Sequence, residues 1–358
     1  MNQAQIDLIR DDCVEILTDA EQFFALRGET IYISGVSGFM GTWLLELIAY
    51  LNDAFGFGTR VIGVARNTAR LEEKAPHLAS RKDIVLEDKD VRNIFEIPSE
   101  VSWIIHTAAT PDHRLHTSDP LSVITTIIDG TNRLLDAATR LPNLRKFLNI
   151  SSGQIYGSQP LGMDRVPETY VSGPNCGSVR SVYSEAKRAA ETLCQVYKSQ
   201  FDVPVLSARP FAFIGPYQYL GRPWAINNFI HRALSGDALR IYGDENTVRS
   251  YMYPSDMVNW LFKMLIDGDP GTSFNLGSSY GYTLRHVAEH VASHFPQAPS
   301  VSVRANPLPH RELVRSKFVP DVDFAREALG LSLTVDFDTA IKRSVQWFQL
   351  GRAGSGKD

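Results

Sequence analysis

Three glycines spaced three apart, Gly35, Gly38 and Gly41 in GlyValSerGlyPheMetGly, separate a short β-branched run, ThrIleTyrIleSer (30–34), from an amphipathic helical segment reaching about residue 53. No other feature restricts the fold so strongly. Between a strand and a helix, the first glycine permits a tight turn and the second lets backbone approach a pyrophosphate. The third allows close helix packing, and the helix N-terminus faces the anion. With Ser37, Phe39 and Met40 between them, these residues are candidate dinucleotide contacts. An ordinary strand-to-helix connection is the alternative.

Further apolar runs follow at 60–65, 83–86, 103–106, 146–150 and 204–208, each set off by a helix-length segment. That alternation predicts an α/β fold, a Rossmann-type doubly wound parallel sheet over 28–210 with helices on both faces. Residues 1–27 read as an N-terminal helical extension outside the sheet. Beyond Pro210, Gly and Pro become frequent, which predicts a smaller mixed substrate-binding domain over 211–350 with helices near 284–295 and 335–348. The polar tail 351–358 reads as disordered.

Composition narrows the function. Lys plus Arg number 36 against 40 Asp plus Glu, a net charge of −4, which argues against a nucleic-acid partner. Cys13, Cys176 and Cys194 are too few and scattered for a disulfide framework, and no Cys/His cluster has zinc-ligand spacing, so no metal is expected. The longest apolar stretch is broken by Glu46 and falls short of the roughly 18 residues a membrane span needs. Asp7, Asp11 and Asp12 stand where an export signal would be basic and then apolar. A cytoplasmic protein without a membrane partner is the expectation.

The second strand ends Ala65-Arg66 where an acidic residue commonly holds a ribose 2′-hydroxyl. Arginine there can pair with a 2′-phosphate, which favours NADP over NAD; a solvated surface arginine is the alternative. Asp90 and Val91 follow the third strand and can meet the adenine edge. Tyr183 and Lys187 stand i, i+4 in a breaker-free stretch, which puts phenol and ammonium on one helix face. A nearby cation favours phenolate, so the pair is a candidate proton acceptor for a sugar hydroxyl. Ser151 and Ser152 fall at the carboxyl end of a strand, the ligand edge of open α/β sheets, where Ser152 serves as a hydroxyl partner for Tyr183 or as a turn cap.

In order along the chain, the glycine turn, HisThrAlaAla (106–109), SerSerGlyGlnIleTyrGly (151–157), TyrSerGluAlaLys (183–187), AlaArgProPheAlaPheIleGlyPro (208–216), the segment 241–256 and AsnLeuGly (275–277) resemble the extended short-chain dehydrogenase/reductase family. The likeness is to its nucleotide-sugar epimerases, dehydratases and decarboxylases and runs from about Gly28 to Phe348. It implies that Tyr183 is the catalytic acid/base, that Lys187 lowers its pKa and binds the nicotinamide ribose, and that Ser152 is the hydroxyl partner. It also implies that Ala108, Ala109 and Thr110 line the cofactor. Arg249 would hold a substrate diphosphate, Asn228 and Phe229 would lie along the nucleotide, and Ser152, Gly153 and Gln154 would face the sugar. A homodimer is expected.

Departures from the pattern sharpen the reading. Family 4,6-dehydratases carry an Asp-Glu pair directly after the hydroxyl residue, and decarboxylases carry a glutamate at the second position; here those positions are Gly153 and Gln154. Ala212 replaces an asparagine that contacts substrate. The expected function is modification of a nucleoside-diphosphate sugar through a transient 4-keto intermediate by NADP or NAD, foremost as an epimerase. The alternatives are a decarboxylase or dehydratase with an unconventional base (Asp112, His113, His116 or Glu168), a 4-ketoreductase, or a non-catalytic dinucleotide sensor.

Overall fold

In the computed structural model, which describes residues 1–17, 20–304 and 316–353, the six apolar runs become parallel strands. These are β1 (Thr30–Ser34), β2 (Arg60–Ala65), β3 (Ile84–Asp88), β4 (Val101–His106), β5 (Lys146–Ile150) and β6 (Val205–Pro210). After β7 (Leu239–Tyr242) and β8 (Val248–Ser250), β9 (Ser273–Leu276) returns to the same sheet and pairs in parallel with β6. The spatial order is β3-β2-β1-β4-β5-β6-β9. It reverses direction between β1 and β4, the switch point where such sheets open a crevice for ligands.

Side chains alternate across the sheet with the strand period of two. Ile31, Ile33 and Ile105 pack with Trp43, Leu44 and Leu47 of the Phe39–Phe55 helix and with Trp260 and Leu261 of the Pro254–Asp267 helix. Tyr32, Ile104 and Phe147 face the other way, toward Leu134 and Leu135 of the Pro120–Ala138 helix and Cys194 of the Val182–Phe201 helix. Both faces are therefore covered. This is why the strands read as continuous apolar runs rather than alternating ones.

The sequence-based boundary at residue 210 does not isolate the sheet, because β9 and the Pro254–Asp267 helix, both beyond it, belong to its layers. A smaller lobe remains. It contains a three-stranded sheet of β10 (Gly281–Thr283), β8 and β12 (Lys317–Phe318), and the pair β11 (Val301–Arg304) with β7. Its apolar core gathers the Ala225–Leu234 and Leu284–Ser293 helices with Val345 and Ile341 of the last helix, Phe337–Ala353.

The Gln3–Ile16 helix, capped reciprocally by Asn2 and Gln5, lies outside the sheet and packs on the Phe39–Phe55 and Phe337–Ala353 helices. Residues 351–353, expected in a disordered tail, complete the last helix; 354–358 lie outside the described residues. Among the described residues no helix is long and apolar enough to cross a membrane.

Candidate active site

The glycine turn is built by close approach. Gly35 sits at φ +77°, and a Cβ there would lie 2.6 Å from Thr107 Oγ1 and 2.8 Å from the Ala108 amide nitrogen. At Gly41 a Cβ would meet the Val36 and Gly35 carbonyl oxygens at 2.5 and 2.6 Å. Only glycine lets β1, the helix start and the loop after β4 come this near. Gly38 stands at the N-cap of the Phe39–Phe55 helix without a capping side chain, so the helix N-terminus is presented by backbone alone. This cradle fits a dinucleotide pyrophosphate. Within it, Phe39 lies 5.9 Å from the Phe213 ring and Met40 packs half-buried on the core.

Lys74, which sequence reasoning passed over, donates from Nζ to the carbonyls of Ser37 (2.9 Å) and Gly38 (3.3 Å). Burial lowers its pKa to about 8. It ends the short Ala69–Lys74 helix, where no local pattern separates it from a solvated lysine.

At the adenosine end, Ala65 pairs with Asp88 across β2 and β3. Asp88 accepts hydrogen bonds from Thr68 N (2.7 Å) and Oγ1 (2.8 Å), which ties down the loop carrying exposed Arg66. Asp90 accepts from the Arg92 amide at 2.9 Å and is held below the usual carboxylate range chiefly by the Arg92 guanidinium, with a smaller pull from Arg66. Val91 is buried against Gly130. Ala108, Ala109 and Thr110 are half-buried beyond the carboxyl end of β4. Next to them His106 bridges Ser34 Oγ (2.6 Å) and Thr131 Oγ1 (3.1 Å), and burial holds it neutral with a pKa of about 3.

Tyr183 and Lys187 share the buried face of the Val182–Phe201 helix, as their spacing predicts. Tyr183 hydrogen-bonds Ser152, and Lys187 Nζ donates to the Ile150 carbonyl at 2.5 Å, so all three meet at the carboxyl end of β5. The expected net fall in the tyrosine pKa is absent from the chain by itself. Burial pushes the phenol up to about 12, and only the Ser152 hydrogen bond opposes it. Burial also lowers Lys187 to about 8, which weakens its pull on a phenolate at alkaline pH.

Of the proposed unconventional bases, one reaches Tyr183. The His116 ring stacks on the phenol ring at 4.9 Å with 8° between planes, while its Nε2 lies 3.1 Å from the Thr110 carbonyl. Burial lowers its pKa, so it stands neutral at pH 7. His113 is exposed. Asp112 is buried between Arg114 (2.7 Å) and Arg222 (2.6 Å), which hold it well below the usual carboxylate range and make it a poor base. Glu168 accepts from the Asn275 amide at 2.8 Å. It borders a buried network in which Arg209 joins Glu191 (2.7 Å) and the Tyr156 hydroxyl (2.8 Å), a structural setting.

The two positions after Ser152 differ in kind. A Cβ at Gly153 would lie 2.6 Å from Phe211 Cε2, so the aromatic ring occupies the space an acid there would need. Phe211 is itself fixed, stacked on Phe318 at 4.5 Å. Gln154 is half-buried, and its Oε1 accepts from Ser184 Oγ at 3.5 Å.

The predicted nucleotide and diphosphate contacts, Asn228, Phe229 and Arg249, lie in the smaller lobe. Asn228 is half-buried on the Ala225–Leu234 helix, whereas Phe229 is 1% exposed and belongs to the lobe's apolar core. Arg249, on β8, donates from Nη1 to the Val248 carbonyl at 2.7 Å, and burial lowers its pKa.

Residues 31–277 match the NAD dependent epimerase/dehydratase family. The chain is 30% identical over 334 residues to UDP-glucuronic acid decarboxylase 2 of Arabidopsis thaliana, covering 93% of this chain and 71% of that one. It is 27% identical over 320 residues to UDP-glucuronic acid decarboxylase 1 of Danio rerio, covering 89% and 72%. Among solved structures, UDP-glucuronic acid 4-epimerase from Bacillus cereus, in complex with UDP-glucuronic acid and NAD, superposes with a TM-score of 0.74 at 21% identity, covering 90% of this chain and 99% of that one. UDP-glucose 4-epimerase from Thermotoga maritima, with UDP-glucose, gives 0.74 at 22% identity over the same shares. A parallel sheet with a glycine cradle, a Ser-Tyr-Lys group at its carboxyl edge and a family match across most of the chain lead to one conclusion: this protein belongs to the NAD-dependent epimerase/dehydratase family of nucleotide-sugar enzymes.

Proposed function

We propose that the chain oxidises C4 of a nucleoside-diphosphate uronic acid and reduces the 4-keto sugar again from either face, acting as a 4-epimerase. The observation that carries this reading is the pairing of an intact Ser152–Tyr183–Lys187 group with Gly153 and Gln154 where other branches place carboxyl groups. Tyr183 takes the C4 hydroxyl proton, and Ser152 hydrogen-bonds the same oxygen. Lys187, held on the Ile150 carbonyl, supplies positive charge on the same helix face. The glycine turn, Ala108, Ala109 and Thr110 hold the dinucleotide, whose nicotinamide, when bound, accepts and returns the C4 hydride. Dehydration across C5 and C6 needs an acid and a base that Gly153 and Gln154 do not provide.

A uronic acid is favoured because the decarboxylase relatives and the B. cereus epimerase are named for the same sugar. Its 4-keto form is a β-keto acid, and the fate of its carboxylate decides the product. A glutamate at position 154 would repel that carboxylate and promote its loss as carbon dioxide. The neutral amide of Gln154 can instead donate to it and retain it. Decarboxylation is the second reading, favoured by the names of the relatives at 30% and 27% identity.

Incubation with UDP-glucuronic acid and either dinucleotide, read by mass spectrometry and proton NMR, separates the two. An isomeric product with inverted C4 is expected. A product lighter by one carbon dioxide transfers the protein to the second reading, and no turnover of any nucleotide uronic acid overturns both. Arg66 at the end of β2 favours NADP(H). Titration should show tighter NADP(H) than NAD(H) binding in the wild type and a narrower gap in Arg66→Ala, and equal affinities would make Arg66 a surface charge.

A further inference from the structure

In the smaller lobe, the Leu284–Ser293 helix carries His286 and His290 one turn apart, and His294 follows one turn later at the helix C-cap. The rings of His290 and His294 lie 5.2 Å apart at 89°. His290 belongs to a ring cluster with Phe337 (5.5 Å, 21°) and His286 (5.7 Å, 9°), which lie 6.0 Å from each other. Asp338, the residue after Phe337 on the last helix, brings Oδ1 to 2.7 Å from His290 Nε2 and 3.5 Å from His294 Nε2. Both Nε2 atoms are buried, yet neither has a partner with the alignment of a hydrogen bond among the described residues.

A carboxylate oxygen lodged between two buried imidazole nitrogens, aligned with neither, is a poor hydrogen-bonding arrangement and a good start for a coordination sphere. We propose that His290, His294 and Asp338 form a site for a zinc-class divalent cation, with solvent as the fourth ligand. The ligand atoms all fall within 4.8 Å of one another. A tetrahedral ion with bonds of about 2.0–2.2 Å places its ligand atoms about 3.4 Å apart. The His294–Asp338 separation of 3.5 Å already has that value, and the His290–Asp338 contact of 2.7 Å opens to it by a small rotation of Asp338, whose side chain is 61% exposed. Two imidazoles and one carboxylate suit zinc better than magnesium or calcium, which take oxygen ligands. The sequence expectation of no metal rests on the absence of Cys/His zinc-ligand spacing, and an i, i+4 histidine pair without a cysteine falls outside that pattern. An ion here would pin the Leu284–Ser293 helix to the last helix, whose Trp347 and Arg343 reach Tyr217 and Asp12 in other parts of the chain.

The test is titration of the full chain, without a polyhistidine tag, with zinc chloride at pH about 7.5 by isothermal calorimetry, alongside thermal melts. One saturable ion per chain and a raised Tm are expected. His290→Ala and His294→Ala should each weaken binding at least about tenfold, whereas His286→Ala should leave the stoichiometry at one. Asp338→Asn, at an exposed position, supplies a ligand-loss variant if a histidine variant fails to fold, and should also lower affinity. Absence of saturable binding in the wild type, or wild-type affinity in Asp338→Asn together with a folded histidine variant, overturns the site.

Discussion

The glycine cradle after β1 and the segment after β5 meet the same carboxyl edge of one sheet, but they are held in different ways. Around Gly35 and Gly41 the shape is set by backbone approaching backbone, with carbonyl oxygens and an amide where any Cβ would go. Around Ser152 it is set by side chains, with Tyr183 under His116, Gly153 under Phe211, and Phe211 against Phe318. A backbone-built site tolerates almost no change in residue type, whereas a side-chain-built site changes its chemistry when its packing partners change. The cradle and the segment after β5 therefore respond differently to substitution, although both stand at one edge of the sheet.

That division can be broken most forcefully at Tyr183. Tyr183→Phe should reduce turnover by at least about a hundredfold while leaving dinucleotide affinity unchanged, measured by steady-state kinetics and fluorescence titration. Near-normal turnover would remove the tyrosine from catalysis. Its pH dependence tests the electrostatics independently. A phenol pushed up to about 12 is almost wholly protonated at neutral pH, so its phenolate fraction grows about tenfold per pH unit. In the oxidative direction kcat/KM of the wild type should therefore climb from pH 6 to 9. A plateau already reached near pH 7 would mean that bound ligands and Lys187 offset the burial penalty.

The converse variant lies in the cradle. Gly35→Ala should lower dinucleotide affinity by at least about tenfold, since both the positive φ and the Thr107 and Ala108 contacts penalise a Cβ. Wild-type affinity in this variant would show that the cradle yields more readily than its contacts suggest. The smallest effect is expected at Gly153. Gly153→Asp should destabilise the fold by about 1–3 kcal/mol through overpacking, without creating dehydratase activity. Adding Phe211→Leu should recover part of the lost Tm relative to the sum of the single changes, a coupling that a double-mutant cycle reads directly. Additive effects would mean that Phe211 is not what fills the space.

What could be read in the sequence follows the same line. The six strands and the glycine turn were legible because local chain stereochemistry and burial on both faces leave a local signature. Tyr183 and Lys187 were legible as a pair because helix geometry alone brings i and i+4 together. The direction of the Tyr183 pKa was not, since it depends on how deeply distant segments bury the ring. Strand β9 escaped because four residues inside a Gly-rich region carry little periodicity, and the boundary at residue 210 was drawn too simply as a result. In the sequence His116 stands level with Asp112 and His113 as a candidate base. Only the fold shows that it alone lies on the tyrosine while Asp112 is paired with two arginines.

The ring of Phe211 over Gly153 also bears on how this chain could change its reaction. An aspartate at 153 arising first would meet an occupied volume and weaken the fold before it had any partner for acid–base work. A smaller residue at 211 arising first would open a void against Phe318 and gain nothing. The coupling expected between the two positions would leave neither single change an easy first step. On that packing, an acid at 153 becomes accessible only through a paired change at 211.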